Sequence, residues 1–83
     1  MTIRETVVSV FNQLWSENRK DAPPELTDDL VLLESGLDSM AFAVMVAQLD
    51  DELGFDPFTL SDDAYYPRTV GEFVAFYEKY ANQ

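Results

Sequence analysis

The run Gly36-Leu37-Asp38-Ser39-Met40 sets a hydroxyl beside a carboxylate at what reads as the start of a helix. The chain has neither histidine nor cysteine. Nothing is therefore present to activate Ser39 as a hydrolytic nucleophile, and thiolate chemistry, disulfides and sulfur metal sites are excluded as well. The chemistry that suits Ser39 is that of an acceptor. A phosphate ester on its oxygen would lie near unpaired backbone N–H groups and the positive end of the helix dipole, both of which favour an anion. A group that several different enzymes must reach belongs on a protruding, rigid feature, and the first turn of a helix after a long loop is one.

The helix that carries Ser39 is bounded by its own residues. Asp38 can cap it, and Gly54 supplies a stop after Leu53. On a wheel of about 100° per residue, Phe42, Met45, Val46, Leu49 and Leu53 cluster on one side and are expected to face inward. The opposite side carries Met40, Val44, Ala47 and Asp51, an apolar stripe that begins beside Ser39 and ends in acid. No core role is left for that stripe.

Elsewhere the chain reads as further helices. Thr2 and Glu5 have capping-box spacing, which predicts a first helix from Ile3, and Ile3, Val7, Val10, Phe11 and Leu14 then share one face. From Asn18 to Leu37 the pattern breaks at Pro23-Pro24 and no helical period resumes. A loop of that length in a small domain must be pinned or functional, and Leu26, Leu30, Leu32 and Leu33 are available to pin it. Ser61-Asp62-Asp63-Ala64-Tyr65-Tyr66 is expected to form one short helical turn before Pro67. Thr69 and Glu72 repeat the capping-box spacing ahead of a final helix whose apolar face is Val70, Phe73, Val74, Tyr77 and Tyr80. Trp15 and the aromatics of the final helix, Phe76 included, are expected to be mostly core packing rather than a ligand-binding box. The fold class is all-α, with three main helices, one short one and a long loop between the first two. No sustained strand alternation and no internal repeat is present.

Eighty-three residues suffice for one small core and are too few for two, so residues 1–83 are expected to form a single domain. With 47 % apolar and 13 % aromatic residues the chain should fold despite a net charge of −11. Sixteen acidic residues against five basic ones repel nucleic acid and anionic membranes and attract basic protein patches. No apolar run approaches the roughly 20 residues needed to cross a bilayer, and no signal-like start is visible, so a cytoplasmic monomer is expected. Asp28-Asp29, Asp50-Asp51-Glu52 and Asp62-Asp63 lack the glycine and distant glutamate of a calcium loop and read as solvated acids, with diffuse stabilisation by divalent ions as a hypothesis. No metal site is expected.

The run Gly36-Leu37-Asp38-Ser39-Met40 resembles the Gly-x-Asp-Ser-Leu/Met signature of acyl and peptidyl carrier proteins. The resemblance covers nearly the whole chain: first helix, leucine-bearing loop, serine at the start of the second helix, the acidic ending Asp50-Asp51-Glu52-Leu53-Gly54, and the approach to Thr69-Val70. It implies that a phosphopantetheinyl transferase attaches 4′-phosphopantetheine from coenzyme A to Ser39 in a magnesium-dependent reaction. The arm's thiol would then carry acyl or aminoacyl groups as thioesters. Asp38 matches the family's aspartate before the serine, which helps hold metal and cofactor during loading. It further implies an acyl- or aminoacyl-loading enzyme and a downstream acyl transferase or synthase as partners, with no catalysis by the chain itself.

In that family the second helix is the main recognition surface and usually has acids at both ends. Here Ala41 and Val44 stand where fatty-acid carriers commonly have acids, whereas Asp50 and Asp51 keep them at the far end. The expected docking surface is Met40, Val44, Ala47, Asp50 and Asp51, apolar near Ser39 and charged farther away. That pattern and the chain's length lean toward a specialised pathway, with fatty, polyketide, amino acid and sugar-decorating cargo all open. The rival reading is a carrier-like adaptor that binds partners through the second helix and is never modified. Tyr65 and Tyr66, near where the family's short third helix shelters or releases the arm, suggest a partner contact.

Overall fold

In a computed structural model of the chain, residues 2–18, 20–36, 38–60 and 67–81 are described. The element order is α1 (Ile3–Asn18), a 3-10 turn (Leu32–Glu34), α2 (Ser39–Leu53), α3 (Pro57–Leu60) and α4 (Val70–Tyr80). α1 packs on both α2 and α4, and α3 packs on α4.

Both expected capping boxes form. The Glu5 carboxylate accepts from the Thr2 N–H at 2.9 Å, and the Thr2 hydroxyl accepts from the Glu5 N–H at 3.1 Å. These bonds favour the ionised carboxylate and hold the Glu5 pKa below its ordinary value. At α4, Thr69 and Glu72 make the same reciprocal pair, at 3.2 Å in each direction. Each box satisfies N–H groups that a helix start leaves without partners.

The core forms where the periodicity places it. Val7, Val10, Phe11, Leu14 and Trp15 of α1 meet Met45 and Leu49 of α2 and Val70, Phe73, Val74 and Tyr77 of α4, all buried. Ile3, Phe42, Val46 and Leu53 pack against this cluster from its edge. Aromatic rings dominate one side: Phe73 and Tyr77 lie 4.9 Å apart, Phe73 meets Phe42 edge-on at 5.7 Å, and Phe76 meets Tyr80 at 5.6 Å. Trp15 stacks on Phe11 at 5.7 Å, so these aromatics are packing residues as expected.

The long connection is held in two ways. Leu32 is buried and Leu26 and Leu30 are half-buried against the core, but Leu33 is 57 % exposed. The expectation that Leu33 helps pin the loop is thus corrected. Within a 3-10 turn of about three residues, consecutive side chains cannot point the same way, and Leu32 takes the inward position. The second anchor is main-chain pairing with the start of α4. The Leu32 N–H donates to the Arg68 carbonyl at 3.0 Å, the Val70 N–H to Leu30 at 2.9 Å, and the Gly71 N–H to Asp28 at 3.0 Å. Val31 and Thr69 form an isolated antiparallel bridge, and no longer strand occurs among the described residues. A Cβ on Gly71 would lie 3.1 Å from the Asp28 carbonyl oxygen, so glycine is what allows this approach.

The short helix expected at Ser61–Tyr66 lies outside the described residues. The structure adds one at Pro57–Leu60. The Asp56 carboxylate caps it by accepting from the Phe58 N–H at 2.9 Å, and Pro57 takes the first helical position, where no N–H is required.

Candidate functional site

Ser39 is the first residue of α2 and is exposed, as are Asp38 and Met40. Two local devices put it there. Gly36, at φ 107°, takes a left-handed conformation that a side chain would resist, and so turns the chain out of the 3-10 segment. Asp38 then adopts extended backbone, and its carboxylate accepts from the Ala41 N–H at 2.8 Å, fixing where the helix begins. At the other end Gly54, at φ 82°, terminates α2 with its N–H on the Asp50 carbonyl at 2.8 Å.

The hydroxyl of Ser39 therefore stands on a rigid 15-residue helix at its dipole-positive end, with no acidic residue inside the first turn. A phosphodiester there meets favourable backbone charge beside the Asp38 carboxylate, which already occupies the Ala41 N–H. This donor set fits an anionic ester.

α2 separates its two faces as the wheel predicts. Met45 and Leu49 are buried, whereas Met40 is 77 % and Val44 44 % exposed, and Ala47, Asp50 and Asp51 are also exposed. The structure thus brings Ser39, Met40, Val44 and Ala47 onto solvent-facing positions of one helix, with Asp50 and Asp51 in its last turn. Tyr65 and Tyr66 lie outside the described residues. Among the described residues no cluster of potential ligands could hold a metal ion, and no helix is long and apolar enough to cross a membrane.

Sequence reasoning missed a cleft of about 300 Å³ between the 3-10 turn, α2 and α3, lined by Val31, Leu32, Leu33, Phe42, Phe58 and Pro67. Glu34 and Arg68 also border it and are exposed. Phe42 stands one helical turn beyond Ser39. The Asp56-Pro57 pair was the signal that could have found α3 and with it Phe58. The pairing of the loop with Arg68-Thr69 had no local signal.

A small helical bundle that presents one hydroxyl on the exposed start of its second helix has the architecture of a carrier domain. Residues 9–76 match the family model described as "phosphopantetheine attachment site", and the chain belongs to that family. Its members carry covalent 4′-phosphopantetheine, and this protein is a phosphopantetheine-carrying carrier. Comparison with curated proteins and with solved structures gives no significant match.

Proposed function

We propose that Ser39 is the attachment point of the 4′-phosphopantetheine arm and that residues 1–83 act as a single non-catalytic carrier of acyl or aminoacyl thioesters in a biosynthetic pathway. The observation that supports this most is the position of Ser39, exposed at the capped start of α2 and inside the family match. In loading, the Ser39 oxygen forms a bond to phosphorus as the pyrophosphate bond of coenzyme A breaks. Adenosine 3′,5′-bisphosphate leaves, and the hydroxyl proton is released. Asp38 orients this start by capping it, and from its place before the serine it would help to hold the metal and cofactor during loading. The arm raises the effective concentration of its cargo for each partner, and the thioester keeps the carbonyl activated.

Partners dock on Met40, Val44, Ala47, Asp50 and Asp51. Supporting this, the stripe is exposed, and acids in the last turn of a helix oppose the dipole, so Asp50 and Asp51 are not placed there for stability. The partners are a phosphopantetheinyl transferase, a loading enzyme and an enzyme that removes the cargo, each presenting an apolar patch with basic residues beside it.

Incubation with coenzyme A, magnesium and a broad-specificity transferase, followed by mass spectrometry, tests the reading. One phosphopantetheine is gained by the natural chain and none by Ser39→Ala. No gain, or a gain that persists in Ser39→Ala, overturns it.

A further inference from the structure

We propose that Met40 is a site of reversible oxidation, and that its sulfoxide turns the exposed face of α2 from apolar to polar and slows the docking of partner proteins beside Ser39. This rests on the docking surface proposed above.

The chain holds few groups that a peroxide can oxidise. It has no cysteine, and its sulfur is confined to Met1, Met40 and Met45. Met1 lies outside the described residues. The other two stand on the same helix in opposite settings. Met45 is fully buried in the core, whereas Met40 is 77 % exposed, more than any other large hydrophobic residue among those described. Trp15 is buried as well. A thioether has no proton to lose, so access to its sulfur decides how fast it is oxidised, and access separates Met40 from Met45.

In the step itself, an electron pair of the Met40 sulfur attacks one oxygen of a hydroperoxide. The S–O bond forms as the O–O bond breaks, and the second oxygen leaves as water or an alcohol with the proton of the first. Sulfur loses two electrons and the peroxide gains them. A thiol-dependent reductase reverses the change: the sulfoxide oxygen leaves as water while two thiols join in a disulfide.

The consequence follows from where the oxygen is added. Met40 and Val44 lie one helical turn apart, so the sulfoxide stands at the head of the apolar stripe, next to Ser39. In the free protein that oxygen accepts hydrogen bonds from water, and Met40 has no place in the core cluster, so the fold is unaffected. Against an apolar partner patch the same oxygen is buried with no donor opposite it, which weakens docking. Leucine at this position would offer a similar apolar contact without an oxidisable sulfur.

The test exposes the natural chain and Met40→Leu to hydrogen peroxide, removes the peroxide and maps added oxygen by peptide mass spectrometry. Thermal unfolding and the rate of loading from coenzyme A by a broad-specificity transferase, at limiting carrier concentration, are then measured. In the folded natural chain Met40 oxidises on the order of 100-fold faster than Met45, and in urea the two rates converge. The sulfoxide form keeps its Tm within about 1 °C of the untreated chain. Its loading slows about tenfold, and methionine sulfoxide reductase with a dithiol restores the rate. Met40→Leu, whatever its own starting rate, loads equally fast before and after peroxide. Oxidation of Met40 no faster than that of Met45, or an undiminished loading rate in chains that carry the Met40 sulfoxide, overturns the inference. So does a rate that falls on treatment of Met40→Leu, because the effect then arises at another residue. Val44→Glu separates this failure from that of the docking surface. Slow loading of Val44→Glu beside normal loading of the sulfoxide form overturns the oxidation site alone, whereas normal loading of both shows that the transferase does not dock on this stripe, and both readings fail.

Discussion

The two faces of α2 are both apolar, yet only one of them is committed to the fold. Met45 and Leu49 are fully buried in the core cluster shared with α1 and α4, while Met40 and Val44 on the same helix stay exposed. Composition does not separate these pairs. Angular position on the helix does, because α1 and α4 cover one side only and the other is left beside Ser39. Hydrophobic residues thus stand in two settings on one element: the inner face fixes where Ser39 stands, and the outer face stays in solvent, where we propose that partner proteins dock.

The strongest way to break this comparison is to empty the inner face. Leu49→Ala is expected to lose about 2–5 kcal/mol of stability. A domain of this size holds only roughly 4–12 kcal/mol in total. A denaturant titration checks it, and loading of Ser39 should fail under conditions where the variant is unfolded. Next in size is the end of the helix. Gly54→Ala forces a side chain into a left-handed conformation and should lose about 1–2 kcal/mol, with α2 fraying in hydrogen exchange. Asp38→Ala removes the cap at the Ser39 end. A loss of about 1 kcal/mol in chemical unfolding is expected, accompanied by a fall in transferase rate larger than the stability change accounts for.

Val44→Glu should sharpen the contrast from the outer face. Its stability should stay within about 0.5 kcal/mol of the natural chain, while transfer to or from at least one cognate enzyme slows. Unchanged transfer with every partner would remove Val44 from the docking surface.

The smallest effect is at Tyr77, which packs in the layer beneath α3. Its hydroxyl is buried without a hydrogen-bond partner, and burial, with Asp56 and Asp50 adding, pushes its pKa well above the ordinary tyrosine value. A pKa raised on folding contributes stability that is fully present below the unfolded value of about 10 and is lost as pH rises past it toward the folded value. Tyr77→Phe should therefore leave Tm near neutral pH unchanged or slightly raised. It should also reduce the loss of stability above about pH 10.

How far the sequence disclosed this molecule follows from the range of the forces involved. The boxes at Thr2–Glu5 and Thr69–Glu72, the Asp38 cap and the Gly54 stop are interactions within a few residues, and all were legible. So were the faces of the helices, because burial follows period. The loop was legible only in part. Leu26, Leu30 and Leu32 do contact the core, but the bonds from Leu32, Val70 and Gly71 that align the loop with α4 join residues about 36 to 43 positions apart, and no local pattern encodes such pairing. The cleft depends on that pairing, which is why it could not be read from the sequence, whereas the exposed setting of Ser39 could.

One feature of α1 has a practical use. The indole N–H of Trp15 donates to the Asp21 carbonyl at 2.9 Å, tying the last turns of α1 to the first residues of the connection. Trp15 is the chain's sole tryptophan. Its emission is therefore an intrinsic optical gauge of that junction, well separated in sequence from Ser39. A spectrum that holds steady while the arm is added and loaded would show that cargo is exchanged without loosening the frame, and a red shift would time the moment at which the frame lets go.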